Sequence, residues 1–118
     1  MGQNYPQYNE EIRKSLKKLS EEIPGTMKGF MELHKAASAD GALDSKTKEL
    51  IALAIAITVR CNGCIAFHVH DALESGANRK EILETVAVAV LMGGGPSVVY
   101  GTEAMDALNQ FQEAQTAA

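Results

Sequence analysis

Two apolar runs constrain this chain more than any other feature. Residues 51–57 and 86–92 are each seven apolar positions long in a chain of 118 residues. Neither approaches the roughly 20 residues of a membrane-spanning helix, so no span is expected. In the first run Ile51, Leu53, Ile55 and Ile57 alternate with Ala52, Ala54 and Ala56, which is the period of a strand. Alanine, however, is the best helix former and a poor strand residue, and Asp44 or Ser45 supplies a capping signal. The segment from Lys46 to about Arg60 is therefore predicted helical. The second run is decided the same way, by a capping box at Asn78 and Glu81 and a stop at Gly93. A helix apolar nearly all round must be buried all round. A chain of this size buries only about two-thirds of the surface its unfolded form exposes, so subunit contacts are expected to complete the burial in a homo-oligomer.

The remaining punctuation divides the chain into about six helical segments, giving an all-α, single-domain bundle over residues 1–118. The first helix is expected near Asn9, with an apolar stripe of Ile12, Leu16, Leu19 and Ile23. Pro24 suits the first position of a second helix, whose Met27, Phe30, Met31 and His34 share a face until a turn near Asp40 and Gly41. His34 is read there as a partly buried packing residue. Gly93-Gly94-Gly95-Pro96 follows a helix instead of a strand and lacks the lysine of a phosphate loop, so it is read as a helix break. A sixth helix is expected from Ser97 to about Gln112, with residues 113–118 fraying. Fifteen acids against 11 bases give a net charge of −4, which disfavours a broad grip on nucleic acid or anionic lipid. The polar first 11 residues lack the apolar core of a secretory signal, and the cytosol is the expected compartment.

The chemistry concentrates in Cys61-Asn62-Gly63-Cys64-Ile65-Ala66-Phe67-His68. On a helix starting near Cys61, positions 61, 64 and 68 fall on one face. Both cysteines then lie where unpaired backbone N–H groups favour an anion, which lowers a thiol's pKa from its free value of about 8.5. His68 could take the Cys64 proton or protonate a leaving oxygen. Cys61 could attack an oxidised sulfur on Cys64 and close a disulfide for an external dithiol to reduce. These steps describe a thiol peroxidase. Glu49 would stand about 22 Å from Cys64 on an unbroken helix. A reversal near Arg60 to Gly63 instead makes a helical hairpin and brings Glu49 level with His68. A metal reading competes, because Cys61, Cys64, His68 and His70 offer four N and S ligands. His68 and His70 face different sides of a helix, however, so no metal and no cofactor is expected. His70 is read as a surface or subunit-contact residue.

The spacing Glu49, eleven residues, Cys61-x-x-Cys64, three residues, His68 resembles the core motif of the AhpD-like alkylhydroperoxidases of the carboxymuconolactone decarboxylase superfamily. The similarity continues through Ala87 to Met92, the glycine break and Tyr100, and covers roughly residues 25–112. It implies an all-helical fold assembled as trimers or hexamers, which reduces peroxides with electrons from an external dithiol, thioredoxin-like or lipoyl-type donor. By the resemblance, Cys64 attacks the peroxide, Cys61 resolves it, and Glu49 with His68 relays protons through water. One departure stands out: the best-known members carry a histidine just before the second cysteine, where this chain has Gly63, implying a shorter relay. Two alternatives stand beside this one. The first is a redox-sensing or scaffold oligomer without turnover; the second is a decarboxylase-like enzyme, although that branch generally lacks the cysteine pair.

Overall fold

The computed structural model describes residues 2–117, which form six α-helices and no strand. They are α1 Tyr5–Glu22, α2 Pro24–Ser38, α3 Ser45–Thr58, α4 Asn62–Glu74, α5 Arg79–Gly93 and α6 Gly95–Ala117. Local chemistry sets most of these boundaries. Asp44 caps α3 by accepting the Thr47 N–H at 2.8 Å. Asn78 and Glu81 close a reciprocal capping box at the start of α5. Pro24 opens α2, where its missing N–H forfeits no helical bond.

The two ends of the chain depart from expectation for tertiary reasons. Asn4, not Asn9, caps α1, accepting the Gln7 N–H at 3.1 Å, and Asn9 is buried within the helix. The early start is fixed by α6: the Tyr5 N–H donates to Gln110 Oε1 at 2.6 Å, and the Tyr5 ring is only 1% exposed. At the other end α6 does not fray after residue 112 but runs on to Ala117, while residue 118 lies outside the described residues. Arg79 of α5 ties down the turn just before this extension by donating to Asn109 at 2.7 Å and to Gln112 at 3.1 Å.

Helical period resolves the alternation in α3. Leu53, Ala56 and Ile57 turn inward, whereas Ile51 and Ile55, on the opposite side, are about half exposed. In this chain α3 and α5 are thus buried on one face only, where their composition leads one to expect burial all round; Leu91 of α5 remains 79% exposed. The core gathers Leu53 and Ile57 of α3, Ile65 and Val69 of α4, Ile82 of α5 and Leu108 of α6, each fully buried. Buried alanines on the same faces, such as Ala66, Ala72, Ala104 and Ala107, have no bulk to hold neighbouring helices apart. α4 lies at the centre and packs against α1, α3 and α6. By contrast α2 buries none of its residues, and the lower α1 stripe of Leu16, Leu19 and Ile23 stays exposed. No helix among the described residues is long and apolar enough to cross a membrane.

Candidate active site

The reversal between α3 and α4 falls at the Arg60 end of the expected stretch from Arg60 to Gly63. The Cys61 N–H reaches back to the Ala56 carbonyl at 3.1 Å, and the Arg60 N–H to the Ile57 carbonyl at 3.2 Å. This pair of bonds is the Schellman ending of a helix, and its left-handed position is taken by Arg60 at φ 61°. Asn62 and Gly63 already belong to the first turn of α4. A β-carbon on Gly63 would meet Ile12 Cδ1 at 3.2 Å and Tyr8 Oη at 3.7 Å. A side chain at position 63 would therefore press against Ile12 and touch Tyr8 of α1.

Cys61 is the N-cap of α4, and its Sγ accepts the Cys64 N–H at 3.2 Å. The two cysteines are joined in a disulfide, and both are half-buried. Their position at the start of α4 places the sulfurs at the positive end of a 13-residue helix, which stabilises negative charge released when the bond is reduced.

One turn beyond Cys64, His68 Nδ1 meets Glu49 Oε2 at 2.8 Å. The hairpin thus brings together the two residues that an unbroken helix would separate. Glu49 is not a first-turn acid serving its own helix dipole, because it lies in the second turn of α3 and is 7% exposed. It occupies the same inward stripe as Leu53, Ala56 and Ile57, at spacings of four, three and one. A carboxylate on a core stripe with a single hydrogen-bonding neighbour is tightly constrained: with Nδ1–H donating to Glu49, the imidazole tautomer is fixed and Nε2 is the nitrogen left to accept or donate a proton.

A cavity of about 350 Å³ opens beside this pair, lined among others by His34, Ser38, Lys48, Glu49, Ile55 and His68. His34 is exposed on α2 and faces this cavity, a correction to its reading as a packing residue. His70 points elsewhere. Its Nδ1 lies 2.8 Å from Asp71 Oδ1, and its ring meets Phe111 of α6 edge-on. His68 and His70 therefore serve different surfaces of α4, as their two-residue spacing requires.

Three contacts at this end of the molecule had no local signal in the sequence. Arg13 of α1 lies 4.8 Å from the centre of the Phe67 ring and pairs with Asp71 at 3.2 Å, clamping α1 to α4. Asn62, between the cysteines, reaches Glu103 Oε1 of α6 with its Nδ2 at 3.4 Å.

Comparison with known proteins agrees with this architecture. The sequence pattern of the carboxymuconolactone decarboxylase family matches residues 24–107. A member of that family from Legionella pneumophila, solved in its apo form, superposes with a TM-score of 0.87 at 47% identity, over 91% of this chain and 96% of its own. A Thermotoga maritima member, described with a suggested part in the antioxidative response, gives a TM-score of 0.84 at 29% identity, covering 92% and 93%. An uncharacterised protein of Cupriavidus necator is 39% identical over 102 residues, covering 84% of this chain and 90% of its own.

Proposed function

The chain belongs to the carboxymuconolactone decarboxylase family, and from that premise we propose that it is an AhpD-like thiol peroxidase. The observation that carries this reading is the conjunction of a Cys61–Cys64 disulfide at a helix N-terminus with a Glu49–His68 pair one turn further on. In the reduced enzyme the Cys64 thiolate attacks the terminal oxygen of a hydroperoxide. The O–O bond breaks, an alkoxide leaves with a proton from His68, and Cys64 becomes a sulfenic acid. The Cys61 thiol then attacks that sulfur, forming the disulfide as the sulfenic oxygen departs as water. An external dithiol of thioredoxin or lipoyl type returns two electrons and two protons through a mixed disulfide and is itself oxidised. Glu49 holds His68 in the tautomer this exchange needs. The Thermotoga maritima relative's suggested antioxidative part supports the same direction.

Decarboxylation of a lactone, the activity in the family's name, gives no role to a disulfide at the head of α4. A redox sensor without turnover shares the disulfide but not sustained consumption of peroxide. The deciding measurement starts from fully reduced protein. One equivalent of an alkyl hydroperoxide is expected to remove two titratable thiols per chain, and added dithiol to restore them for many cycles. Loss of thiols in a single round, with no further peroxide consumed, would make the protein a sensor.

The same reading includes assembly as a homo-oligomer, a trimer or hexamer by family resemblance. Phe30 and Leu33 of α2, Ile55 of α3 and Leu91 and Met92 of α5 are each more than half exposed, an apolar surface large for a solitary subunit. Light scattering is expected to give three or six times the chain mass, and a monomer at micromolar concentration would refute assembly.

A further inference from the structure

At the head of α4, next to the disulfide, α1, α4 and α6 bring together a cluster of polar side chains that the peroxidase cycle does not use. Three helices build it. From α1 comes Tyr5, which is 1% exposed and whose buried hydroxyl faces the Glu103 carboxylate. From α4 comes Asn62, which donates through Nδ2 to Glu103 at 3.4 Å while its own Oδ1 is buried without a partner. From α6 come Glu103, Asp106 and Gln110, at spacings of three and four, which place them on one face of that helix. Gln110 binds the backbone at the start of α1. Glu103 faces Tyr5 and Asn62, the first of the two residues between the cysteines.

We propose that Glu103 sets the reduction potential of the Cys61–Cys64 disulfide, acting through Asn62. The disulfide is neutral, but reduction creates thiols that ionise at the N-terminus of α4. The helix dipole favours that negative charge, and a carboxylate anchored to the first residue of the same helix opposes it. Glu103 thus raises the free energy of the reduced pair and leaves the disulfide nearly untouched. The same carboxylate bears on Tyr5, whose phenol is held well above its usual ionisation range, first by burial, then by the negative charges of Glu103 and Asp106 and by a hydrogen bond to Glu103. The other charged or titratable groups near the head of α4 include Arg60, the exposed residue directly before Cys61, Tyr8 and Arg13 of α1, Glu49 of α3 and His68 of α4 itself. Glu103 is the carboxylate hydrogen-bonded to Asn62, between the cysteines.

This inference rests on the reading of Cys61 and Cys64 as a cycling redox pair, and it requires no particular peroxide. Its test is equilibration of the whole protein with glutathione at pH 7. In that exchange two glutathione thiols supply two electrons and two protons; the Cys61–Cys64 bond breaks and the glutathione disulfide bond forms. The reduced fraction is read by alkylation and mass. Glu103→Gln is expected to become half-reduced at about a tenfold lower ratio of squared glutathione to glutathione disulfide, a potential higher by about 30 mV. Glu103→Asp should return most of the way to wild type. Asn62→Ala, which frees the carboxylate without removing it, should shift in the same direction by less, and it keeps the test decisive if Glu103→Gln does not fold. An unchanged midpoint in Glu103→Gln, or in Asn62→Ala where only that variant folds, would overturn the proposal, as would a shift to lower potential. A wild-type disulfide that no glutathione or dithiothreitol buffer reduces would instead overturn the redox reading beneath it.

Discussion

Replacing Cys64 with serine is expected to abolish peroxide turnover, with a loss on the order of 10⁴-fold or more. Serine preserves the size of the side chain at the head of α4, but its hydroxyl does not ionise near neutrality, so the helix terminus has no anion to stabilise. Cys61→Ser separates the two sulfur roles. That variant should still react once with peroxide, losing its remaining thiol and giving a sulfenic acid that dimedone traps on Cys64. It should then stall, because the resolving thiol is missing. Stopped-flow peroxide consumption and mass analysis of the trapped adduct read both outcomes. Full activity in Cys64→Ser, or an adduct on Cys61 in wild-type protein, would reverse the assignment of the two cysteines.

The second large effect falls on the relay. His68→Ala is expected to lower the rate of the first thiol oxidation by about 10²- to 10⁴-fold, the range for losing a positioned acid or base. Glu49→Gln keeps a carbonyl oxygen for the Nδ1 proton, but its amide can also donate and hold the ring in the other tautomer. A fall of about 10²-fold is expected there. Because Glu49 acts through His68, the double variant should be no slower than His68→Ala alone. Additive losses would mean that the two side chains contribute independently, against the 2.8 Å contact that joins them.

The helices were legible in the sequence because their signals are local. Asp44, Asn78 with Glu81, and Pro24 each act within one turn of the chain, and each marks a boundary found in the structure. The site was legible through spacing: positions 61, 64 and 68 share a face on any helix, and Glu49 needed only a reversal to reach His68. A further cue was available in the inward stripe at positions 49, 53, 56 and 57, where a carboxylate takes the place of an apolar residue.

What escaped depends on residues far apart in the chain. Asn4 and Asn9 are equally good caps in isolation; the choice is made by Gln110, 105 positions beyond Tyr5. Within the expected reversal from Arg60 to Gly63, Asn62 and Gly63 enter α4 and Arg60 takes the left-handed conformation that non-glycine residues rarely adopt. Glu103 reads as an ordinary surface acid on α6 until the fold brings it to Asn62. The exposure of His34 was also invisible, since a stripe of apolar neighbours signals a buried face without saying whether the burying partner is in the same subunit.

That last point bears on α2, which contributes no buried residue yet supplies His34, Ala37 and Ser38 to the wall of the cavity beside Glu49 and His68. In an isolated subunit little apolar contact would be lost if α2 lifted away, so its local opening costs a small fraction of the free energy needed to unfold the core. Its amides should exchange with solvent long before those of α4. Entry to the cavity is then governed by a local equilibrium, and any neighbour that covers Phe30, Met31 and Leu33 also restrains the helix that forms that wall.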